Sequence, residues 1–264
     1  MWNRFGGWRG IGLDKNINLV LFLNDVHFKS LYCAYRMKLH LKHPIFNILS
    51  AYNDIDEFYV CGGYVRNQIL NGDGRKDIDI FINCTPQQLD DFIIYLNKYG
   101  YTDYGQYGSP RFYPKCDDEH YVDLVPFYNF VVSQNPILNI NDLLNNFDFT
   151  ANAIAVDIKT GEMFDPVGGI EDIQNKILRA VRLDFPERNV SEEINLSAVS
   201  VFWFRLLHYK NKLGFRMDAA TEKWIFENAY RMEDLELFEH YFFVPQIDED
   251  TFKRIVGCLQ QKRD

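Results

Sequence analysis

The chain has 264 residues, 47% of them apolar and 25% charged, and carries a net charge of −9. A chain of that length buries a large core without staples, and 16% aromatic residues argue against disorder. The sequence has no apolar run near the 18 or so residues of a membrane span and no signal-peptide core at its start, and its five cysteines stand singly. Membrane, collagen-like, zinc-ribbon and disulfide-scaffold classes are therefore excluded, and reduced thiols in a cytoplasmic setting are expected.

The first 50 residues hold seven Lys/Arg and two acids, a balance of +5 that leaves −14 for the rest. Residues 1–44 are read as a basic N-terminal extension. Ile45 to Tyr52 has the spacing of a short helix. Phe58-Tyr59-Val60-Cys61 reads as a strand that runs into Gly62-Gly63, and helical spacing resumes over 64–71. Asp77 to Phe81 alternates and reads as a strand, followed by a helix over 87–98. Tyr121 to Phe127 and Ala153 to Ile158 are further strand candidates, with a turn at Lys159-Thr160-Gly161. From about residue 170 the pattern is helical: Glu171 to Val181, Leu196 to Leu213 and Ala219 to Tyr230. The middle segment is apolar on nearly every side, which predicts a buried helix. Strands early and helices late give an α+β body followed by a helical segment.

The chemistry concentrates in residues 58–82. Residues two apart on a strand share a face, so Asp77 and Asp79 would project side by side while Ile78, Ile80 and Ile82 bury. Adjacent carboxylates repel unless a cation lies between them. Mg²⁺ takes hard oxygen ligands of this kind together with substrate phosphates; Mn²⁺ is the alternative. Upstream, a strand, Gly62-Gly63 and a helix make a turn through which backbone can approach phosphates. Arg66, one turn into that helix, can reach the same phosphates as a planar fork.

The run Gly62-Gly63-Tyr64-Val65-Arg66 followed by Asp77-Ile78-Asp79 resembles the head-domain signature of class II CCA-adding tRNA nucleotidyltransferases and the related bacterial poly(A) polymerases, members of the DNA polymerase β-type superfamily. Asp148-Phe149-Thr150-Ala151-Asn152-Ala153 is similar to the family's D-F-T-x-N-A segment. Asp165-Pro166-Val167-Gly168-Gly169-Ile170-Glu171-Asp172 is similar to its D-P-x-G-G-x-x-D segment. Leu213-Gly214-Phe215 resembles the start of the helical neck. The resemblance implies a head of small mixed sheet and flanking helices at 45–183, with a short helical neck-like segment at 184–264. It implies a two-metal transfer of a nucleotide from an NTP, ATP or CTP above all, to an RNA 3′ end with release of pyrophosphate. Asp77, Asp79 and, as third carboxylate, Asp123 would then be the catalytic metal ligands. Gly62, Gly63 and Arg66 would cradle phosphates, and Asp148 and Asn152 would lie near the nucleotide.

The sequence departs from that pattern in four places. Asn67 stands where the family has Asp after the Arg, and Asn146-Phe147 stand where it has Arg-Arg, so Lys76, Arg111 or Arg179 would have to supply the phosphate cations. The base-reading E-D-x-x-R motif is absent at the register of Ser197–Val201; Glu233-Asp234 has no Arg three residues later. There the chain offers a ring-rich helix, Phe202-Trp203-Phe204, for stacking and Arg205 as the nearest donor. Finally, only about 80 residues follow the head, and the charge after residue 50 is acidic, against the usual requirement of RNA binding. Two other readings follow from these departures: the same chemistry on a protein or small-molecule acceptor, or a weakened nucleotide- or RNA-binding protein.

Overall fold

The computed structural model describes residues 41, 43–70, 78–105, 108–117, 121–130, 136–191 and 193–261. The chain divides into two units, Met1–Arg36 and Met37–Asp264, and every described residue belongs to the second. Among the described residues no helix is long and apolar enough to cross a membrane.

Helix α1 (Ile45–Ser50) precedes strand β1 (Glu57–Cys61), helix α2 (Gly63–Ile69) and strand β2 (Ile78–Asn83). Helix α3 (Pro86–Leu96) starts where local chemistry dictates: Thr85 and Gln88 form a reciprocal cap, and Pro86 occupies the first turn. Strands β3 (Gly100–Tyr104), β4 (Pro110–Pro114) and β5 (Val122–Pro126) follow, then α4 (Ile140–Leu144), β6 (Ala155–Asp157) and β7 (Met163–Phe164). The sequence reading does not contain the β3–β4 hairpin. Its exposed, tyrosine-rich first strand and the prolines bounding its second erase the alternation that marks a strand.

The seven strands form one sheet in the order β3-β4-β5-β2-β1-β6-β7. All its pairs are antiparallel except β2 with β5. One face carries Phe58, Val60, Ile78, Ile80, Val122 and Leu124 into the main core. The other carries Tyr59, Cys61 and Phe81 against Leu143, Leu144 and Phe147.

The helix expected over 171–181 is shorter. Helix α5 (Gly169–Asn175) stops because Lys176 turns left-handed at φ 53°, and Ile177–Leu178 become strand β8. Strand β8 pairs in parallel with β9 (Arg216–Met217), so the C-terminal part is not wholly helical. Helix α6 (Ala198–Leu213) is capped by Ser197 and ended by left-handed Gly214, and residues 198–204 are all buried. Helix α7 (Ala219–Glu227) ends before the expected Tyr230, in a 3₁₀ turn over Ala229–Asp234; α8 (Leu235–Tyr241) and α9 (Glu249–Gln261) complete the chain. Buried residues of α6, such as Trp203 and Leu206, belong to the same core as the sheet.

Candidate active site

Strand pairing sets the central geometry. Asp79 lies opposite Asp123 in the parallel β2–β5 pair, Asp123 lies opposite Arg111 in β4–β5, and Cys61 lies opposite Asp79 in β1–β2. The four residues make one row across four neighbouring strands, each about 4.8 Å from the next. Ile78, Ile80, Val122 and Leu124 are buried on the opposite face. Asp79 and Asp123 are therefore neighbouring carboxylates on one half-exposed face. Asp77 and Lys76 lie outside the described residues, so the placement expected of Asp77 beside Asp79 is not described. Burial, and Asp79 next to it, push the Cys61 thiol well above its ordinary range, so Cys61 is held as an inert neutral neighbour.

Arg111 meets the row from β4. Its Nε donates to Asp123 Oδ1 at 2.9 Å, and its guanidinium lies 4.0 Å from the centre of the Tyr121 ring. Burial disfavours the charge, but Asp123 outweighs it and raises the Arg111 pKa. Arg111, expected as a compensating phosphate cation, is paired with the proposed third carboxylate in this structure.

The glycine turn sits over the row. Gly62 has φ 69° and ψ −134°, a conformation that favours glycine, and a Cβ there would meet Asp79 Oδ2 at 3.5 Å. Gly62 N–H donates to the Asn152 carbonyl at 3.2 Å. The constraint thus falls on Gly62. A Cβ on Gly63 would make only an ordinary 3.5 Å contact with Arg66.

Arg66 is 4% exposed and faces inward. Its Nε and Nη2 donate to Asn67 Oδ1 at 3.2 and 3.1 Å, and its Nη1 donates to Asn152 Oδ1. The amide of Asn67 thus holds the guanidinium despite its missing charge. Burial lowers the Arg66 pKa.

Asn152 belongs to the turn 148–153, which organises the rest. Its Nδ2 donates to Asp148 Oδ1 at 3.2 Å. Asp148 does not cap a helix, one role its sequence position allows. Its Oδ1 accepts from Phe149 N–H at 2.9 Å, and its Oδ2 accepts from Arg205 Nε and Nη2 at 2.9 and 2.6 Å. Burial opposes the Arg205 charge, yet Asp148 raises its pKa overall. Arg205 comes from α6, so it joins the neck-like helix to this turn and is not a free donor for a base.

The D-P-V-G-G segment braces the same turn. Asp165 accepts from Gly169 and Ile170 N–H at 2.6 and 3.0 Å, capping α5. A Cβ at Gly169 would lie 2.0 Å from the Thr150 carbonyl, so only glycine permits this approach. Thr150 donates to Asp172 at 2.5 Å. Arg179 donates to Asp172 from Nε and to the Val167 carbonyl from Nη2, both at 2.9 Å. Arg179, expected as a compensating phosphate cation, makes these bonds to the frame while its side chain stays 41% exposed. At the vacant Arg-Arg position, Arg182 Nη1 donates to Asn146 Oδ1 at 2.7 Å; sequence reasoning missed this residue.

At the first turn of α6 the stacking surface expected of Phe202–Phe204 is closed. Trp203 and Phe204 are fully buried, and Phe202 stacks on Phe185 at 4.1 Å. Acid and guanidinium do reach this turn, but from elsewhere in the chain. Asp234 accepts from Ser200 Oγ at 2.5 Å. Arg231 Nη1 donates to Ser197 and Ser200 at 3.2 and 3.1 Å, and its Nη2 donates to Glu187. Glu233-Asp234 showed no Arg three residues later because Arg231 precedes the pair. His208 on α6 is a core histidine, its Nδ1 accepting from Gln246 N–H at 3.1 Å.

Residues 113–179 match the family model described as the poly A polymerase head domain, a span that holds Asp123, the 148–153 turn and the α5 frame. The chain is also similar to CCA-adding enzymes. It is 31% identical over 210 residues to the Multifunctional CCA protein of Xanthomonas campestris pv. campestris (strain B100), covering 77% of this chain and 46% of that protein. Against the Multifunctional CCA protein of Stenotrophomonas maltophilia (strain K279a) it is 31% identical over 137 residues, 50% of this chain and 32% of that one. The chain therefore spans less than half the length of these curated relatives. Among solved structures, a CCA-adding enzyme in complex with CTP matches with a TM-score of 0.59 at 19% identity, covering 84% of this chain and 53% of that one. The Thermotoga maritima CCA-adding enzyme complexed with tRNA matches with a TM-score of 0.56 at 18% identity, covering 82% and 52%. The fold is the nucleotidyltransferase head, an α+β body with a mixed sheet flanked by helices, as the motifs imply.

Proposed function

We propose that this chain is a metal-dependent nucleotidyltransferase that moves a nucleotide from an NTP to an RNA 3′ end and releases pyrophosphate. The observation that carries the reading is the pair Asp79 and Asp123, in register on neighbouring strands beneath the Gly62 turn, inside a head of the poly A polymerase type. Their hard oxygen donors suit Mg²⁺ or Mn²⁺, and the open position of the Gly62 Cβ leaves backbone close to them. Asp77, Asp79 and Asp123 are the residues that would hold the ions. When bound, such ions absorb charge on the attacking and leaving oxygens.

The chain's own residues do the positioning. Asn152 ties the Gly62 N–H, Arg66 and Asp148 together, so the glycine turn and the 148–153 turn hold one geometry. Arg205 anchors that geometry to α6 through Asp148. The proposed division is a head at 45–183 and a neck-like segment at 184–264, working in the cytoplasm. Because α6 buries its rings and spends Ser197 and Ser200 on Arg231, base choice is not set by an E-D-x-x-R motif. The purified chain is expected to take several NTPs, or to take its one preference from residues outside that motif, and not to build an ordered C-C-A end alone.

Incubation with each labelled NTP, Mg²⁺ and total RNA tests the reading. Label is expected in RNA, and Asp79→Ala is expected to reduce it by at least about a thousandfold while keeping the fold, since it removes one of two repelling charges. Label appearing in protein, or undiminished transfer by Asp79→Ala, would overturn it.

A further inference from the structure

We propose that Arg111 is a resident cation that holds Asp123 in the nucleotide-free head and yields it to a divalent ion only when a nucleoside triphosphate draws the guanidinium away. This rests on the nucleotidyltransferase reading and adds a linkage between substrate and metal at the same site.

Three observations carry it. Sheet register puts Arg111 directly opposite Asp123, whose other neighbour is Asp79. The Arg111 Nε to Asp123 Oδ1 bond is 2.9 Å, so the guanidinium occupies one side of the carboxylate that would complete a metal site. The pair is also accessible: the two side chains keep 30% and 26% of their exposure.

The other arginines of the head are committed differently. Arg66 is buried against Asn67 and Asn152, and Arg179 is bound to Asp172 and Val167. Arg111 pairs with Asp123 of the row, while Arg205, which also senses the charge of Asp79, is bound to Asp148. The electrostatics give the direction of exchange. The Asp123 carboxylate lies beside that of Asp79, and Arg111 offsets the Asp123 charge with one positive charge. A divalent ion offsets it with two, but must displace a charge-assisted bond. A triphosphate, with several charges and phosphate oxygens matched to a guanidinium fork, supplies Arg111 with a better partner and removes that cost.

The test is Mn²⁺ binding to the full chain, followed by the electron paramagnetic resonance of the free ion, with and without a non-hydrolysable α,β-methylene ATP analogue. Wild type alone is expected to bind its weakest Mn²⁺ less tightly than wild type with the analogue, after the ion bound by free analogue is subtracted. Arg111→Gln is expected to bind that ion without analogue about 3- to 10-fold tighter than wild type; this is the low end for a charge-assisted bond because the pair is part-exposed. Arg111→Lys, which keeps the charge and loses the fork, should fall between them, and remains readable if Arg111→Gln fails to fold. Adding Asp123→Asn to either variant should abolish the gain. Equal Mn²⁺ binding by wild type and both variants without analogue would overturn the exchange while leaving the nucleotidyltransferase reading intact. Wild type that binds neither Mn²⁺ nor the analogue would overturn both.

Discussion

Asp123 and Asp148 each accept bonds from an arginine at 2.9 Å or less, yet one pair lies at the open row of the sheet and the other inside the molecule. The Asp123 carboxylate is 26% exposed and accepts from Arg111. The Asp148 carboxylate is 4% exposed and has accepted four bonds, from Phe149, Asn152 and Arg205. The same chemical pair serves two ends. A part-solvated pair costs little to open and can exchange partners. A buried carboxylate deprived of its cation keeps its desolvation cost, so that pair acts as a fixed joint. The head therefore places its exchangeable charge where substrate would arrive and its fixed charge where α6 must be held.

The sharpest way to break this contrast is to unpair each carboxylate in turn and compare unfolding by urea. Arg205→Met should cost about 2–4 kcal/mol, somewhat below the usual range for a broken buried pair because Arg205 retains an exposed edge. A loss under about 1 kcal/mol would show that the joint is not fixed. His208, one turn beyond Arg205 on α6, gives the intermediate effect. Burial first, then Lys212 and Arg205, bring its pKa from 6.5 to about 4. Since the folded value is the lower one, its stabilising contribution is complete above about pH 6.5 and is lost as pH falls towards 4. Stability should drop by roughly 1–3 kcal/mol across that window, and His208→Gln, which retains an acceptor for the Gln246 N–H, should flatten the slope. A slope unchanged in that variant would assign the effect to other groups. The smallest change is expected from Arg111→Gln, about 0–1 kcal/mol at neutral pH. A cost equal to that of Arg205→Met would erase the distinction between the two pairs.

The strand running into Gly62-Gly63 and then a helix was legible because each step is local: alternation, a residue without Cβ, and renewed helical spacing. The placement of Asp79 opposite Ile78 and Ile80 was legible for the same reason. Helix α6 could be read as buried from its continuous apolar run. The turn role of 148–153 was visible only as a motif, and its partners were not. The β3–β4 hairpin was illegible because Pro110 and Pro114 and an exposed first strand hide the strand period. The helix expected to reach Val181 stopped at Asn175 because Lys176 is left-handed, a conformation that an ordinary lysine does not announce.

By itself the sequence determined the motifs, the family they resemble, and which residue types bear the chemistry. Only the tertiary structure decided which arginine meets which acid. Arg111 reaches Asp123 because β4 lies beside β5, and Arg205 reaches Asp148 across 57 positions because α6 packs beside the turn. Arg231 reaches Ser197 and Ser200 because the 3₁₀ turn folds back on α6. Backbone periodicity is set by neighbours along the chain. Charge pairing is set by strand order and helix packing, where every long side chain has several partners within reach until the fold selects one.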